Sequence, residues 1–133
     1  MILLDTHVLL WLDSADPRLG AKAKETIDEA HRADELAVAA ISFWETAMLI
    51  EKGRLTLDIP AHVWRQDLLS AGLREIALDG EIGITAATLE GFHGDPADRL
   101  ITSTALVRGD RLLTADGKIL DWEGVVQRQD ARR

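Results

Sequence analysis

Short apolar runs of strand length alternate along this chain with longer stretches of helical periodicity. This alternation constrains the fold more than any other feature of the sequence. It is the pattern of a parallel sheet with helices on both faces, because parallel strands are buried on both sides and are joined by crossover helices. We therefore predict one α/β domain over residues 1–133, a three-layer α/β/α sandwich with a central parallel sheet of about five strands.

The element boundaries come from these runs and from local capping signals. Ser42 with Glu45 three residues later predicts a capping box, and Gly53 predicts the end of the same helix. Asp95 before Pro96 predicts the N-cap and first turn of a long helix. The polar segment 127–133 is expected to fray. The predicted strands are Ile2–Leu4, Leu36–Ala40, Glu75–Leu78, Arg111–Thr114 and Val125–Gln127, and the predicted helices are Thr6–Leu12, Ala21–Arg32, Phe43–Lys52, Ala61–Ala71, Ile82–Leu89 and Pro96–Val107.

Composition excludes several classes of function. The chain has no cysteine, which rules out disulfides, a thiol nucleophile and a thiolate metal site. No apolar stretch reaches the ~20 residues that span a bilayer, and the first residues do not resemble a signal peptide, so we expect a cytoplasmic protein without a membrane segment. The net charge of -8 argues against general affinity for nucleic acid. Binding to RNA would have to rely on local basic residues and on cations that invert the charge of an acidic pocket.

Four carboxylates fall near the ends of the predicted parallel strands. Asp5 ends the first strand, Glu45 lies in the first turn of the helix after the second, Asp98 lies in the first turn of the helix before the fourth, and Asp116 follows the fourth. Right-handed crossovers place the carboxyl ends of all strands at one edge of the sheet, where ligands bind. We therefore expect the four acids to converge.

Each acid also has a plain structural explanation. Glu45 completes a capping box, Asp98 is favoured by the helix dipole, and Asp116 precedes a glycine in a common turn pair. Asp5 is harder to explain, because it sits in an apolar stretch where a buried carboxylate costs several kcal/mol unless it is paired.

Convergence of these acids would require a cation. Two carboxylates ~4 Å apart repel by ~4 kcal/mol at an effective dielectric of 20. Oxygen ligands without cysteine or a histidine pair indicate a hard ion, Mg²⁺ or Mn²⁺, and this suits hydrolysis of a phosphodiester by a metal-activated water. Thr6, Ser42 and Thr114 lie beside the acids and are candidates for hydroxyl contacts, although Ser42 is equally explained as an N-cap.

Four blocks of sequence together resemble the PIN-domain family, specifically its VapC-type toxins. The resemblance implies a Mg²⁺-dependent endoribonuclease with a five-stranded parallel sheet. It also implies a homodimer inhibited by a cognate antitoxin, with catalytic and metal-binding acids at Asp5, Glu45, Asp98 and Asp116. The blocks are Leu3-Leu4-Asp5-Thr6-His7-Val8-Leu9-Leu10-Trp11, Ser42-Phe43-Trp44-Glu45, Phe92-His93-Gly94-Asp95-Pro96-Ala97-Asp98-Arg99-Leu100-Ile101 and Leu113-Thr114-Ala115-Asp116.

Two further residues of the third block are interpreted as supporting the site. Asp95 belongs to the family motif, but its N-cap role explains it fully. Arg99 is expected either to reach phosphate or to pair with a neighbouring acid. The chain departs from the family at Gly94, Ala97 and Leu49, where relatives often carry Arg, an aromatic residue and Lys, and at His7, where many carry Asn. The departures at Gly94, Ala97 and Leu49 thin the basic contacts to RNA, whereas His7 is interpreted as a residue that supports the site.

Two other classes of function remain as alternatives. A phosphotransferase or phosphatase would use Asp5 as a nucleophile, but such proteins usually carry a second acid two residues on, where this chain has His7, and a lysine near the site. A degenerate PIN domain would bind RNA or a protein partner without cleavage. The presence of all four acids argues against it.

Overall fold

The computed structural model describes residues Met1 to Arg133. It contains five strands and seven helices in an alternating order. None of the helices is long and apolar enough to cross a membrane. The strands are β1 (Ile2–Leu4), β2 (Leu36–Ala39), β3 (Arg74–Ile76), β4 (Arg111–Thr114) and β5 (Arg128–Asp130), and the helices are α1 (Thr6–Asp13), α2 (Ala21–Arg32), α3 (Ala40–Glu51), α4 (Ala61–Ser70), α5 (Gly80–Ala87), α6 (Pro96–Arg108) and α7 (Gly117–Leu120).

All five strands form one parallel sheet in the order β3-β2-β1-β4-β5. Strand β2 lies on one side of β1, and β4 lies on its other side. The carboxyl ends of β1 and β4 therefore flank a point where the strand order reverses, and this is where open α/β sheets bind their ligands. Leu4 of β1 pairs with Leu113 of β4, which brings the residues after each strand together.

Alternate residues of the central strands face two separate cores, as the two-residue period of a strand requires. Leu4, Val38 and Leu113 lie in the core beneath α1, α2 and α4. Leu3, Ala37 and Leu112 lie in the opposite core with Ile101 of α6 and Ile119 of α7. These two buried layers on either side of the sheet confirm the predicted α/β/α sandwich.

The last strand is not where the sequence predicted it. The prediction followed the apolar pair Val125-Val126, but Val125 is 85% exposed and only Val126 enters a core. Strand β5 instead covers Arg128–Asp130 at the edge of the sheet, and Leu112 pairs with Arg128. The expectation of a frayed end is also wrong, because Ala131 is fully buried and its backbone N–H donates to the Thr114 carbonyl.

Helix α3 begins earlier than predicted. Strand β2 passes directly into the helix, with Ala39 at the N-cap position and no side chain capping it. The predicted capping box of Ser42 and Glu45 is therefore wrong, since both residues lie inside the helix. Gly53, with a φ of 69°, follows the end of this helix as expected.

Candidate active site

Asp5 lies at the carboxyl end of the central strand, where it caps α1. Its Oδ1 accepts a hydrogen bond from the Thr6 backbone N–H at 2.8 Å, and its Oδ2 accepts one from the Thr114 hydroxyl at 2.7 Å. The residue is 4% exposed. Burial raises the pKa of Asp5 above its usual range, and these two donors act in the opposite direction.

Glu45 reaches the same edge from α3. Burial raises the pKa of Glu45, and the nearby Asp5 carboxylate adds to the effect. The Thr6 hydroxyl favours the charged form of Glu45, yet it also donates to Ser42 Oγ at 2.9 Å. The single hydroxyl hydrogen can serve only one of these acceptors at a time, and the bond to Ser42 is the one that the geometry supports. Ser42 is therefore a buried contact between α3 and α1 rather than an N-cap.

Asp98 enters the site from the first turn of α6. Asp95 caps this helix as predicted, since its Oδ1 accepts from the Asp98 N–H at 3.1 Å, and Pro96 occupies the first turn. Burial, together with the carboxylates of Asp5, Asp95 and Asp116, raises the pKa of Asp98 to about 7. The charge of Asp98 is thus disfavoured in the absence of a cation, as are the charges of Asp5 and Glu45.

Asp116 completes the set from the connection after β4. It caps the short helix α7, and its Oδ1 accepts from the Lys118 N–H at 2.8 Å. The Asp116 N–H donates in turn to the Thr114 hydroxyl oxygen at 3.1 Å. Thr114 therefore touches both Asp5 and Asp116, and it fixes the position of one acid relative to the other.

His93 also contacts the site, although no role was predicted for it. Its Nε2 lies 2.7 Å from Asp98 Oδ2, and its ring stacks on Phe92 with centroids 4.4 Å apart. The sequence contained only a weak signal for this contact, a histidine in the same block as Asp95 and Asp98.

Arg99 does not pair with a neighbouring acid, which was one of the two partners expected from the sequence. Its guanidinium donates to backbone carbonyls of the preceding segment, at 2.9 Å to His93, 2.8 Å to Phe92 and 3.0 Å to Ala86. Arg99 thus holds the backbone that carries His93, because several carbonyls converge on one planar group of donors.

Donor atoms for a cation are concentrated in two groups that share Asp98. One group is His93, Asp98 and Asp116, and the other is Glu45, Asp95 and Asp98. Within each group, the three donor atoms, one from each residue, all lie within 4.8 Å of one another. Asp5 belongs to neither group, although its charge acts on both Glu45 and Asp98. Carboxylates whose charge is disfavoured by burial and by one another fit a hard divalent cation, which would remove that cost.

Comparisons with known proteins identify the family of the chain. The PIN domain family model matches residues 2–123. Ribonuclease VapC22 of Mycobacterium tuberculosis is 43% identical over 119 residues, covering 89% of this chain and 88% of that protein. This degree of similarity over most of both sequences is sufficient to show common family membership.

Solved structures share the fold at low sequence identity. VapBC2 from Rickettsia felis bound to a DNA fragment from its promoter matches with a TM-score of 0.72 at 16% identity, covering 98% of this chain and 100% of that one. A toxin-antitoxin complex from Klebsiella pneumoniae matches with a TM-score of 0.62 at 20% identity, covering 96% and 97% of the two chains. Together with the family model and the sequence relative, these matches confirm the resemblance seen in the sequence, and the chain belongs to the PIN-domain family.

Proposed function

We propose that this chain is a metal-dependent endoribonuclease of the VapC type, acting as the toxin of a toxin-antitoxin module. The observation that carries the proposal is the convergence of Asp5, Glu45, Asp98 and Asp116 at the carboxyl ends of β1 and β4. The similarity to a protein named as a ribonuclease supports the choice of RNA as the substrate. Residues 1–133 would act as one nuclease domain.

The four acids would hold Mg²⁺ or, in its place, Mn²⁺. A bound divalent cation supplies Lewis acidity toward the scissile phosphate and makes water a stronger nucleophile at neutral pH. The chain's own side chains serve to place the ligands. The Thr114 hydroxyl orients the Asp5 carboxylate and accepts from the Asp116 backbone N–H, and the N–H of Thr6 fixes the second oxygen of Asp5.

An open depression of about 670 Å³ adjoins the acids and offers room for a nucleic-acid strand. Its lining includes two carboxylates, Asp116 and Asp121, one cation, Lys118, and the rings of His93 and Trp122. Lys118 would contact phosphate, and the cation in the acid cluster would offset the negative charge of the pocket. This resolves the conflict between the net charge of -8 and an RNA substrate.

A cognate antitoxin is the partner that the proposed module requires. The similar structures of VapBC2 and of the Klebsiella pneumoniae complex contain toxins bound to antitoxins, and the fold of this chain is the same. We also propose that the toxin forms a homodimer. A monomeric sedimentation profile at micromolar concentration would argue against the dimer and would leave the nuclease proposal unaffected.

The proposal is tested by incubating a mixed cellular RNA pool with the purified protein. We expect cleavage with Mg²⁺, none with EDTA, and none with Asp5→Asn or Asp98→Asn. Asp28→Asn is the matched control, because Asp28 lies on the surface of α2 and pairs only with Lys24. Circular dichroism would show that each variant is folded.

Two outcomes would contradict the proposal. Cleavage that persists in EDTA would exclude a metal-dependent site. The absence of cleavage by folded wild-type protein under every condition would favour a PIN domain that binds without cutting. Hydrolysis of a small phosphate ester in preference to RNA would instead favour the phosphatase class.

A further inference from the structure

His93 is the histidine whose ring nitrogen lies within reach of both Asp98 and Asp116. Its Nε2 lies 2.7 Å from Asp98 Oδ2. One donor atom from His93, one from Asp98 and one from Asp116 all lie within 4.8 Å of one another. The three residues come from different elements, namely the loop before α6, the first turn of α6 and the connection after β4.

We propose that His93 is a direct ligand of the divalent cation, and that its nitrogen makes this site select Mn²⁺ over Mg²⁺. The inference rests on the proposed function, because it concerns the cation of the same site. It goes beyond that function by assigning a ligand that is not a carboxylate and by predicting which ion the site prefers.

The spacing of the donor atoms fits two neighbouring ligands of one ion. Two donors at 2.0–2.1 Å from an octahedral cation and at right angles to each other are about 3 Å apart. The 2.7 Å between His93 Nε2 and Asp98 Oδ2 is close to that value, so a cation would replace the proton that these two atoms share, which passes to solvent, with little movement of either side chain. Asp116 supplies a third donor on the same side, which a simple His–Asp pair would not require.

The imidazole ring is also fixed before any cation binds. It stacks on Phe92 with an interplanar angle of 22°, and Arg99 holds the backbone carbonyls of both residues. The side chain remains 19% exposed, so its ring is accessible at the site. A ligand that is already ordered loses little conformational freedom on binding, which is how rigid metal sites gain affinity.

The type of donor argues for the choice of ion. Mg²⁺ takes oxygen ligands and keeps several waters, whereas imidazole nitrogen is a better ligand for first-row transition ions. The other three histidines do not offer this contact. His31 bonds the Ala71 carbonyl, His62 is exposed on α4, and His7 is exposed at the start of α1.

The inference is tested by pulsed electron paramagnetic resonance on the full chain with Mn²⁺ as the probe. We expect nitrogen-14 modulation of the Mn²⁺ signal in the wild-type protein and its loss in His93→Gln and in His93→Phe. Glutamine keeps a hydrogen-bond donor near Asp98, and phenylalanine keeps an aromatic ring stacked on Phe92. The hydrogen bond and the stacking of His93 are therefore each preserved in one of the two variants. His7→Gln and His62→Gln are the matched controls and should retain the modulation.

Affinities measured by calorimetry provide the second readout. We expect Mn²⁺ to bind His93→Gln at least about tenfold more weakly than wild type, while Mg²⁺ affinity changes by less than about threefold. Wild-type protein that binds Mn²⁺ without nitrogen modulation, or modulation that persists in folded His93→Gln, would overturn the inference and leave the nuclease intact. Folded wild-type protein that binds Mg²⁺ but no Mn²⁺ would overturn this inference alone, and protein that binds neither ion would contradict both proposals.

Discussion

Replacing Asp98 with asparagine should abolish RNA cleavage and at the same time stabilise the protein in the absence of divalent cations. Burial raises the pKa of Asp98 from 3.8 to about 7, and the nearby carboxylates of Asp5, Asp95 and Asp116 contribute to the rise. The folded state therefore resists the charge that the unfolded chain carries freely. An asparagine of the same shape removes that charge and can still accept the hydrogen bond from His93.

The magnitude follows from the size of the rise in pKa. At about 1.4 kcal/mol per pH unit, a change from 3.8 to about 7 corresponds to an upper limit of ~4 kcal/mol above pH 7. The side chain is 15% exposed, so solvent screens part of this cost, and we expect a gain of about 2 kcal/mol. For a domain of this size that gain would raise Tm by roughly 5–10 °C.

The sign of the pH dependence is equally specific. Between pH 3.8 and about 7 the folded protein retains a proton on Asp98 that the unfolded chain has released. Raising the pH through this window therefore removes stability from the wild-type protein through Asp98, a loss that the variant does not share. The advantage of Asp98→Asn should be absent below pH 3.8, partial near about pH 5 and complete above about pH 7.

Urea unfolding of both proteins in EDTA, at about pH 5 and about pH 8, measures this difference. Saturating Mg²⁺ should reverse the order of stabilities, because only the wild-type site has its full set of ligands. Asp28→Asn serves as the surface control and should change stability by less than about 0.5 kcal/mol. A folded Asp98→Asn protein that is no more stable than wild type at about pH 8 in EDTA would refute the reasoning.

Four further predictions concern the surroundings of the site. Thr114→Val should weaken Mg²⁺ binding about tenfold or more and lower the free energy of unfolding by ~1–3 kcal/mol, because Asp5 loses its hydroxyl donor. Calorimetry and urea unfolding measure these two effects, and Thr114→Ser should restore most of the loss. Arg99→Met should lower the free energy of unfolding by roughly 2–4 kcal/mol, because several backbone carbonyls lose their donor. If urea unfolding shows almost no change in this free energy, Arg99 does not stabilise the backbone at His93. Gly94→Arg, made in an Asp98→Asn background, should raise the RNA affinity measured by fluorescence anisotropy, because a side chain at Gly94 meets open space and arginine adds a phosphate contact. The slope of log affinity against log salt concentration should steepen by ~0.7, and unchanged binding would place the RNA elsewhere. Apparent Mg²⁺ affinity should fall up to about tenfold per pH unit below about 7 as Asp98 takes up a proton, and calorimetric affinities that are flat from about pH 5 to about pH 8 would contradict this.

The sequence was most informative where local signals and burial agree. Strands β1 and β4 were predicted at their observed bounds, and Asp95 and Pro96 correctly marked the start of α6. At these positions a buried apolar run or a capping side chain leaves few alternatives. The convergence of the acids was also predictable, because it follows from the parallel topology rather than from any side-chain detail.

The sequence was least informative where tertiary contacts override local preference. Helix α3 begins at Ala40 without a side-chain cap, although Ser42 and Glu45 offered a capping box one turn later. Strand β5 consists of polar residues whose edge position is set by pairing with β4, so no hydrophobic pattern marked it. The partners of Arg99 and the contact between His93 and Asp98 depend on how the loop before α6 folds back, which no short sequence pattern determines.

The bond from Thr114 to Asp5 joins residues separated by 109 positions along the chain. No local segment can therefore form the site by itself. Asp5 and Thr114 come together only when the central strands pair and close this long loop. A chain still on the ribosome with β4 inside the exit tunnel lacks Thr114 and Asp116, and on the proposed function it cannot hydrolyse RNA. On that function, cleavage can begin only after β4 and Asp116 have left the ribosome, which gives a partner made alongside the chain time to be present before the first cut.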